Sequence, residues 1–203
     1  MQFIPNFTQS LQKKFYLQDT ETVARELLGK ILVKFEVDGS ILAARIVETE
    51  AYLAEKDLAS HSAVGRTKRN EPMFAEAGIL YVYKIYGIHH CFNIVTEPEN
   101  RAAAVLIRAL EPIVGIEIMK SRRKSDKIYQ LCKGPGNSAL SLGFDRNYNY
   151  RSLCTEQLFI QNNSDAKVTE NLIVKSRRIG INRASELELR YFLKDNIYVS
   201  GKK

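Results

Sequence analysis

Glu50 closes the run ILAARIVETEAY, two residues before Tyr52. A carboxylate at the end of a strand can act as a general base that takes a proton from water, although such a glutamate is more often simply hydrogen-bonded. Arg108 stands inside AVLIRALEP, an otherwise apolar run. A guanidinium there needs an acidic or carbonyl partner, and Glu50 is a candidate; the same pair would serve as an ion pair fixing two strands. Three tyrosines, Tyr81, Tyr83 and Tyr86, fall within six residues. They offer flat faces for stacking, or ordinary core packing, but Lys84 and Gly87 beside them suit a core strand poorly. His61 lies in a polar segment, where a histidine is commonly solvated.

His89, His90 and Cys91 adjoin, yet neighbouring strand residues point to opposite faces, so one metal ion cannot easily take both histidines. No third ligand stands at a recognised spacing. The three cysteines are far apart and form no CxxC pair, which indicates neither a disulfide framework nor a zinc knuckle. KGPGN at 133–137 reads as a tight loop whose backbone could cradle a phosphate, but it lacks the Lys and Ser/Thr of a nucleotide-binding loop.

Local pattern supplies the elements that would position these groups. Asp19 can cap a helix with apolar Val23, Ala24, Leu27 and Leu28, closed by Gly29. ILVKFEV and ILAARIVETEAY flank Asp38-Gly39 and read as a β-hairpin, whose second strand presents Glu48, Glu50 and Tyr52 on one face. Residues 79–95 make a second hairpin with Tyr86-Gly87 near its tip, placing Tyr81 and Tyr83 on one face and Val82, Lys84 and Tyr86 on the other. A strand over 102–110 follows, and Glu111-Pro112 then opens a helix through Met119. The last third reads as strands near 172–174, 179–181, 187–192 and 197–199. The whole is a mixed α/β single domain dominated by antiparallel hairpins.

Composition bounds the function. Hydrophobic residues form 45% of the 203, enough to bury a core without staples. Lys and Arg number 30 against 23 Asp and Glu, a formal +7, which favours a polyanionic partner. Basic stretches include 120–124 (KSRRK) and 175–178 (KSRR), and RTKRN at 66–70 makes its segment a candidate phosphate-contacting loop. The start lacks a signal peptide's apolar run and no stretch is apolar enough to span a membrane, so a reducing intracellular compartment is expected.

The ordered set VETEAYLAEKDLASHS, RTKRNEPMF, GILYVYKIYGIHHCFNIV, AAAVLIRALEPIVG and LCKGPG resembles the alkyladenine (3-methyladenine) DNA glycosylase family. The likeness runs from about Ala24 to Gly143, and more loosely through RRIGI to the C-terminus. It implies one domain over residues 1–203, of mixed α/β (α+β) class, with a curved, largely antiparallel sheet, flanking helices and a protruding β-hairpin. Glu50 resembles the catalytic carboxylate, and Arg108 the arginine that helps it hold water. Tyr52, His61 and Tyr83 match positions enclosing an extruded base, with Leu106 in the same pocket. Asn93 matches a position that helps exclude guanine through its exocyclic amine. Tyr86 matches the side chain that enters the minor groove and fills the gap in the stack, and Ile179 and Gly180 a segment closing the pocket. Asn137 and Ser138 depart from the family, which usually has a basic residue and then an apolar one there.

The resemblance implies a monofunctional N-glycosylase of base excision repair. It would flip alkylated or deaminated purines (3-methyladenine, 7-methylguanine, hypoxanthine, ethenoadenine) from double-stranded DNA and hydrolyse the N-glycosidic bond with a Glu50-activated water. No lysine occupies the Glu50 or Arg108 position, so no Schiff-base strand cleavage is expected. Neither cofactor nor metal is implied. The expected enzyme is a monomer without a membrane partner, working in the cytoplasm or nucleoid, or in the nucleus of a eukaryote. Two other readings stay open: a non-catalytic module binding distorted or abasic DNA through the same hairpin, and a metal-dependent nucleic-acid hydrolase using the histidines.

Overall fold

Turn chemistry sets the first hairpin. In the computed structural model, which describes residues 3–163 and 168–201, Gly39 sits at φ +83° and the Asp38 carboxylate accepts from Ser40 N–H at 2.9 Å. The chain therefore reverses between β1 (Ile31–Phe35) and β2 (Ile41–Tyr52), which pair antiparallel from Phe35 opposite Ile41. Ahead of them lie α1 (Lys13–Tyr16) and α2 (Thr20–Glu26), the latter capped by Asp19, which accepts from Thr22 N–H at 3.0 Å. The second hairpin joins β3 (Leu80–Ile85) to β4 (His89–Thr96). Its tip, the three residues between paired Ile85 and His89, holds Tyr86 at φ +52° and Gly87 at φ +71°, with Ile88 N–H donating to Ile85 O at 3.3 Å.

The remaining elements are β5 (Ala103–Val114), α3 (Ile116–Arg123), α4 (Ile128–Leu131), α5 (Pro135–Leu142), β6 (Cys154–Thr155), β7 (Leu158–Gln161), β8 (Ile173–Ser176) and β9 (Arg190–Leu193). One antiparallel sheet runs β3-β4-β5-β2-β1-β7-β6, and β9 pairs with β2 and β8. It curls into a half-barrel of a single mixed α/β domain, as expected. The main core lies between the sheet and the helices, with Leu27 of the segment after α2, Ile46, Ile107 and Leu142 fully buried there.

Two compensating bulges decide which way β2 and β5 face. Ile46 pairs with Leu110, Glu48 with Ala109 and Thr49 with Ile107, so Val47 and Arg108 are each one residue extra. Before the bulge Leu42, Ala44 and Ile46 face the main core; beyond it Ala51 does, and Thr49 donates to Ala24 O of α2 at 2.8 Å. On β5 the core face changes likewise, from Leu110 to Ile107 and Val105. Glu48, Glu50 and Tyr52 are thereby turned away from the main core. A bulge re-aims side chains in this way because it interrupts the strict period of two.

Several local expectations need correction. No helix opens at Pro112: β5 runs through it to Val114, and α3 begins at Ile116 with Gly115 as its N-cap. Pro112 fits a strand here because it pairs with Ala44 at a register shift, where a missing N–H is tolerated. KGPGN is not a loop throughout, since Pro135 starts α5 at the helix position where proline is favoured. In the last third β8 and β9 form, but 179–181, 187–189 and 197–199 are not strands. Some of their apolar residues pack instead, Val199 against Phe192 and Leu189 in the main core, while Ile197 stays exposed.

Gly115 adopts φ +76°, and a Cβ there would lie 2.3 Å from Leu42 Cδ2 and 2.6 Å from Ile41 O. Gly115→Ala is expected to cost about 1–3 kcal/mol through strain and overpacking. A urea midpoint equal to that of the parent protein would contradict this.

Candidate active site

Beside the β3–β4 hairpin, the side of the sheet turned away from the main core forms a cavity of about 340 Å³. Tyr81 and Tyr83, on one face of β3, lie with centroids 5.3 Å apart and planes tilted by 32°. His61 meets Tyr83 edge-on at 4.5 Å, and its Nδ1 shares a hydrogen with the Tyr81 hydroxyl at 2.9 Å. Burial, helped by the charge of Arg69, pushes His61 down to about 4, so the ring is neutral at pH 7. Burial raises the Tyr83 and Tyr52 hydroxyls, which keep their protons. These rings make an aromatic, uncharged wall, with the Arg69 guanidinium 5.6 Å from the Tyr83 ring centroid.

Below Tyr52 lie the acids. Glu50 is fully buried; its Oε1 accepts from Ile179 N–H at 2.8 Å and lies 3.2 Å from Arg108 Nη1. Its Oε2 accepts from the Tyr52 hydroxyl at 2.9 Å. Burial pushes the Glu50 carboxyl above its ordinary value; Arg108, Ile179 N–H and Tyr52 pull against that, and neighbouring Glu48 adds to it. Burial works against the charge of Arg108, but Glu50 and then Glu48 override it and hold the guanidinium ionised.

Loops supply the rest through buried polar anchors. Asp57 accepts from Leu53 and Ala59 N–H and binds Arg178 through both oxygens, at 2.6 and 2.7 Å. Arg178 donates also to Ala51 O and lies 4.6 Å over the Tyr52 ring. It thus ties the segment bearing Ile179 to β2 and backs the aromatic wall. Asn70 donates to His61 O and Gly65 O, both at 2.8 Å, which sets the loop carrying His61.

The structure brings Tyr52, His61, Tyr83, Asn93, Leu106 and Arg108 to one cavity, with Ile179 and Gly180 at its rim and Glu50 beneath. The Asn93 amide donates to Tyr81 O at 3.2 Å, which orients it. Tyr86 is 83% exposed at the hairpin tip, yet borders the same cavity. His89 also faces in, and among the described residues no three His, Cys, Asp or Glu are grouped to hold a metal ion.

Three positions differ from the sequence reading or were missed. KSRR at 175–178 is no uniform surface patch, because Arg178 is turned wholly inward. In KSRRK, Arg122 is drawn to Glu36 and to Ser141 O. Glu48, read only as sharing a face with Glu50, makes the second carboxylate contact to Arg108, 3.3 Å from Nε. Its signal was the ETE spacing alone.

A concave aromatic site floored by a carboxylate–arginine pair, on a curled antiparallel sheet, is the frame of a pocket for one flat guest. A family model described as methylpurine-DNA glycosylase matches residues 14–197. Relatives provisionally named 3-methyladenine DNA glycosylase include one from Chlorobium phaeobacteroides, 44% identical over 96% of this chain and 97% of its own. Another from Methanoculleus marisnigri is 46% identical over 94% and 98%, and one from Clostridium tetani 42% identical over 95% and 99%. This chain belongs to the methylpurine-DNA glycosylase family, and is thus a DNA glycosylase, a hydrolase of DNA repair whose substrate is DNA.

Asp57→Ala leaves the Arg178 charge buried without its partner and is expected to cost about 3–5 kcal/mol of stability. Asp57→Asn, isosteric but uncharged, should cost less. Equal melting temperatures for Asp57→Ala and the parent protein would show that this pair does not hold the loops.

Proposed function

We propose that the enzyme extrudes alkylated or deaminated purines (3-methyladenine, 7-methylguanine, hypoxanthine and ethenoadenine) from duplex DNA and hydrolyses the N-glycosidic bond with a water activated by Glu50. The observation that carries this is the convergence of Glu50 and Arg108, 3.2 Å apart, under an aromatic cavity bordered by Tyr86.

The chemistry follows from charge. A glycosidic bond inside a stack cannot be reached, so the nucleotide must leave the duplex, at about a few kcal/mol. Tyr86, exposed at the hairpin tip, fills the gap it leaves and offsets part of that cost. Alkylation at N3 or N7 makes a purine cationic, and the faces of Tyr52 and Tyr83 then prefer it to a neutral base by about 1–2 kcal/mol. As the bond breaks, positive charge grows on the sugar. Glu50 stabilises it and takes the proton of the incoming water through Oε2, which accepts only from Tyr52 among the described residues. Oε1, held by Ile179 N–H and Arg108, keeps the carboxylate aimed. The fixed Asn93 amide supports discrimination against the exocyclic amine of guanine, and Leu106 fills the wall beside it. The working unit is a monomer of one domain, acting inside the cell where its DNA substrate lies.

Glu50→Gln is expected to cut base release by about 10²-fold or more while lesion binding stays near that of the parent. Free purine is read by chromatography of methylated duplex DNA after incubation. Normal release by this variant would remove Glu50 from the role. Tight binding to abasic DNA with no purine released by the parent protein would mark a binding module instead.

The pH dependence has a definite sign. The Glu50 carboxyl lies above its ordinary 4.5, and only the ionised form is a base. Activity on 7-methylguanine DNA is therefore lost as pH falls through that raised value, and a rate constant down to pH 4.5 would contradict it.

Tyr86→Ala is expected to weaken lesion binding by roughly tenfold, within the about 1–3 kcal/mol of one stacked base. Its release rate at saturating protein should change far less. Unchanged affinity would exclude the wedge.

A further inference from the structure

Glu48 has no part in the reaction just described, yet a buried network converges on it. Its Oε1 accepts from Arg190 Nε at 2.6 Å and lies 3.3 Å from Arg108 Nε, while Oε2 accepts from Ser200 N–H at 2.7 Å. Ser200 is held again at its carbonyl by Arg190 Nη2, at 2.9 Å, and its hydroxyl accepts from Arg108 Nε at 3.3 Å. Arg190, Glu48, Arg108 and Glu50 thus form a chain of alternating charge across β9, β2 and β5. Neither Glu48 nor Arg190 lines the cavity.

We propose that Glu48 is a positioning residue for base release: it holds Arg108 by its Nε edge and so divides that guanidinium between two carboxylates. The inference rests on Glu50 being the base. With Glu48 neutral, Arg108 has one carboxylate left to it and is drawn onto Glu50, engaging the oxygen that water needs. The fork geometry of guanidinium favours such a two-oxygen pair when nothing competes for it. Arg190 is the counterweight, since it offsets the charge that Glu48 would otherwise press on Glu50.

The groups facing both acids come from every packed element. Arg108 of β5, Tyr83 of β3, Cys91 of β4, Tyr52 of the same strand, Arg178 and Ile179 N–H face Glu50. Arg108, Arg190 of β9 and Ser200 N–H face Glu48. Glu48 raises the Glu50 carboxyl, so removing its charge and removing that of Arg190 act on Glu50 in opposite directions.

The test is single-turnover purine release from methylated duplex DNA across pH. For Glu48→Gln the acid limb should move down by about half to one pH unit, with the plateau rate lower by roughly tenfold. For Arg190→Gln the acid limb should move up. Glu48→Asp keeps the charge and should hold the limb at the parent position with much of the rate. Acid limbs that superpose, or that move the same way in both glutamine variants, overturn the proposal, since loss of packing alone does not produce opposed shifts. Circular dichroism checks folding at the assay temperature, and where Glu48→Gln unfolds, Arg190→Gln and Glu48→Asp decide the matter. Glu50→Gln separates the two levels. If it stays active, the glycosylase mechanism falls; if it is inactive while the Glu48 and Arg190 profiles match the parent, only the present proposal falls.

Discussion

An ionised carboxylate taken wholly out of water costs several kcal/mol unless opposite charge and hydrogen bonds compensate it. Glu50 and Glu48 are both fully buried, on the same strand and two residues apart. Each is acceptable because Arg108 lies between them and Arg190 lies beyond Glu48, so the four buried charges sum to zero. The compensation of Glu50 is incomplete: burial outweighs its donors and its carboxyl stays above the usual carboxylate value. Such a group is held at a cost to the fold and is more basic for it, which is the property a proton acceptor needs.

The position of these charges depends in turn on the paired bulges. Regular alternation from Leu42 onward would drive Glu48 and Glu50 into the same layer as Ile46, against the helices. One extra residue on β2, Val47, and one on β5, Arg108, switch both strands together and keep the ladder intact on either side. The hydrophobic layer then continues with Ala51 and Ile107, while Glu48 and Glu50 turn away from it. Core packing and site geometry are therefore one constraint.

Loops complete the cavity that the strands β3, β4 and β5 begin. Asp57 and Asn70, both buried, spend their hydrogen-bonding capacity on backbone and on Arg178, and so fix the segment between β2 and β3 that carries His61. The neutral, interlocked Tyr81, Tyr83 and His61 make a wall that presents flat faces and few free polar groups. Asn93 adds one oriented amide beside it. The hairpin tip stands outside this packing, with Tyr86 and Ile88 exposed, as the proposed wedge requires.

The hairpins, the Asp19 cap, the shared face of Glu48, Glu50 and Tyr52, and the tip at Tyr86 could be read from the chain itself. Each follows from turn residues and periods spanning a few positions, and the motif order pointed to the family. The start of α3, the strand through Pro112 and the inward turn of Arg178 could not be read locally. Pro112 is tolerated only opposite a register shift in a distant strand, and Arg178 looks like any surface cation until Asp57, 121 residues away, is beside it. The residue types for the chemistry were thus a property of the sequence. Which face they occupy, how Arg108 is shared and where Ser200 closes the network were decided by tertiary structure, because register and charge compensation are set between strands and not along one.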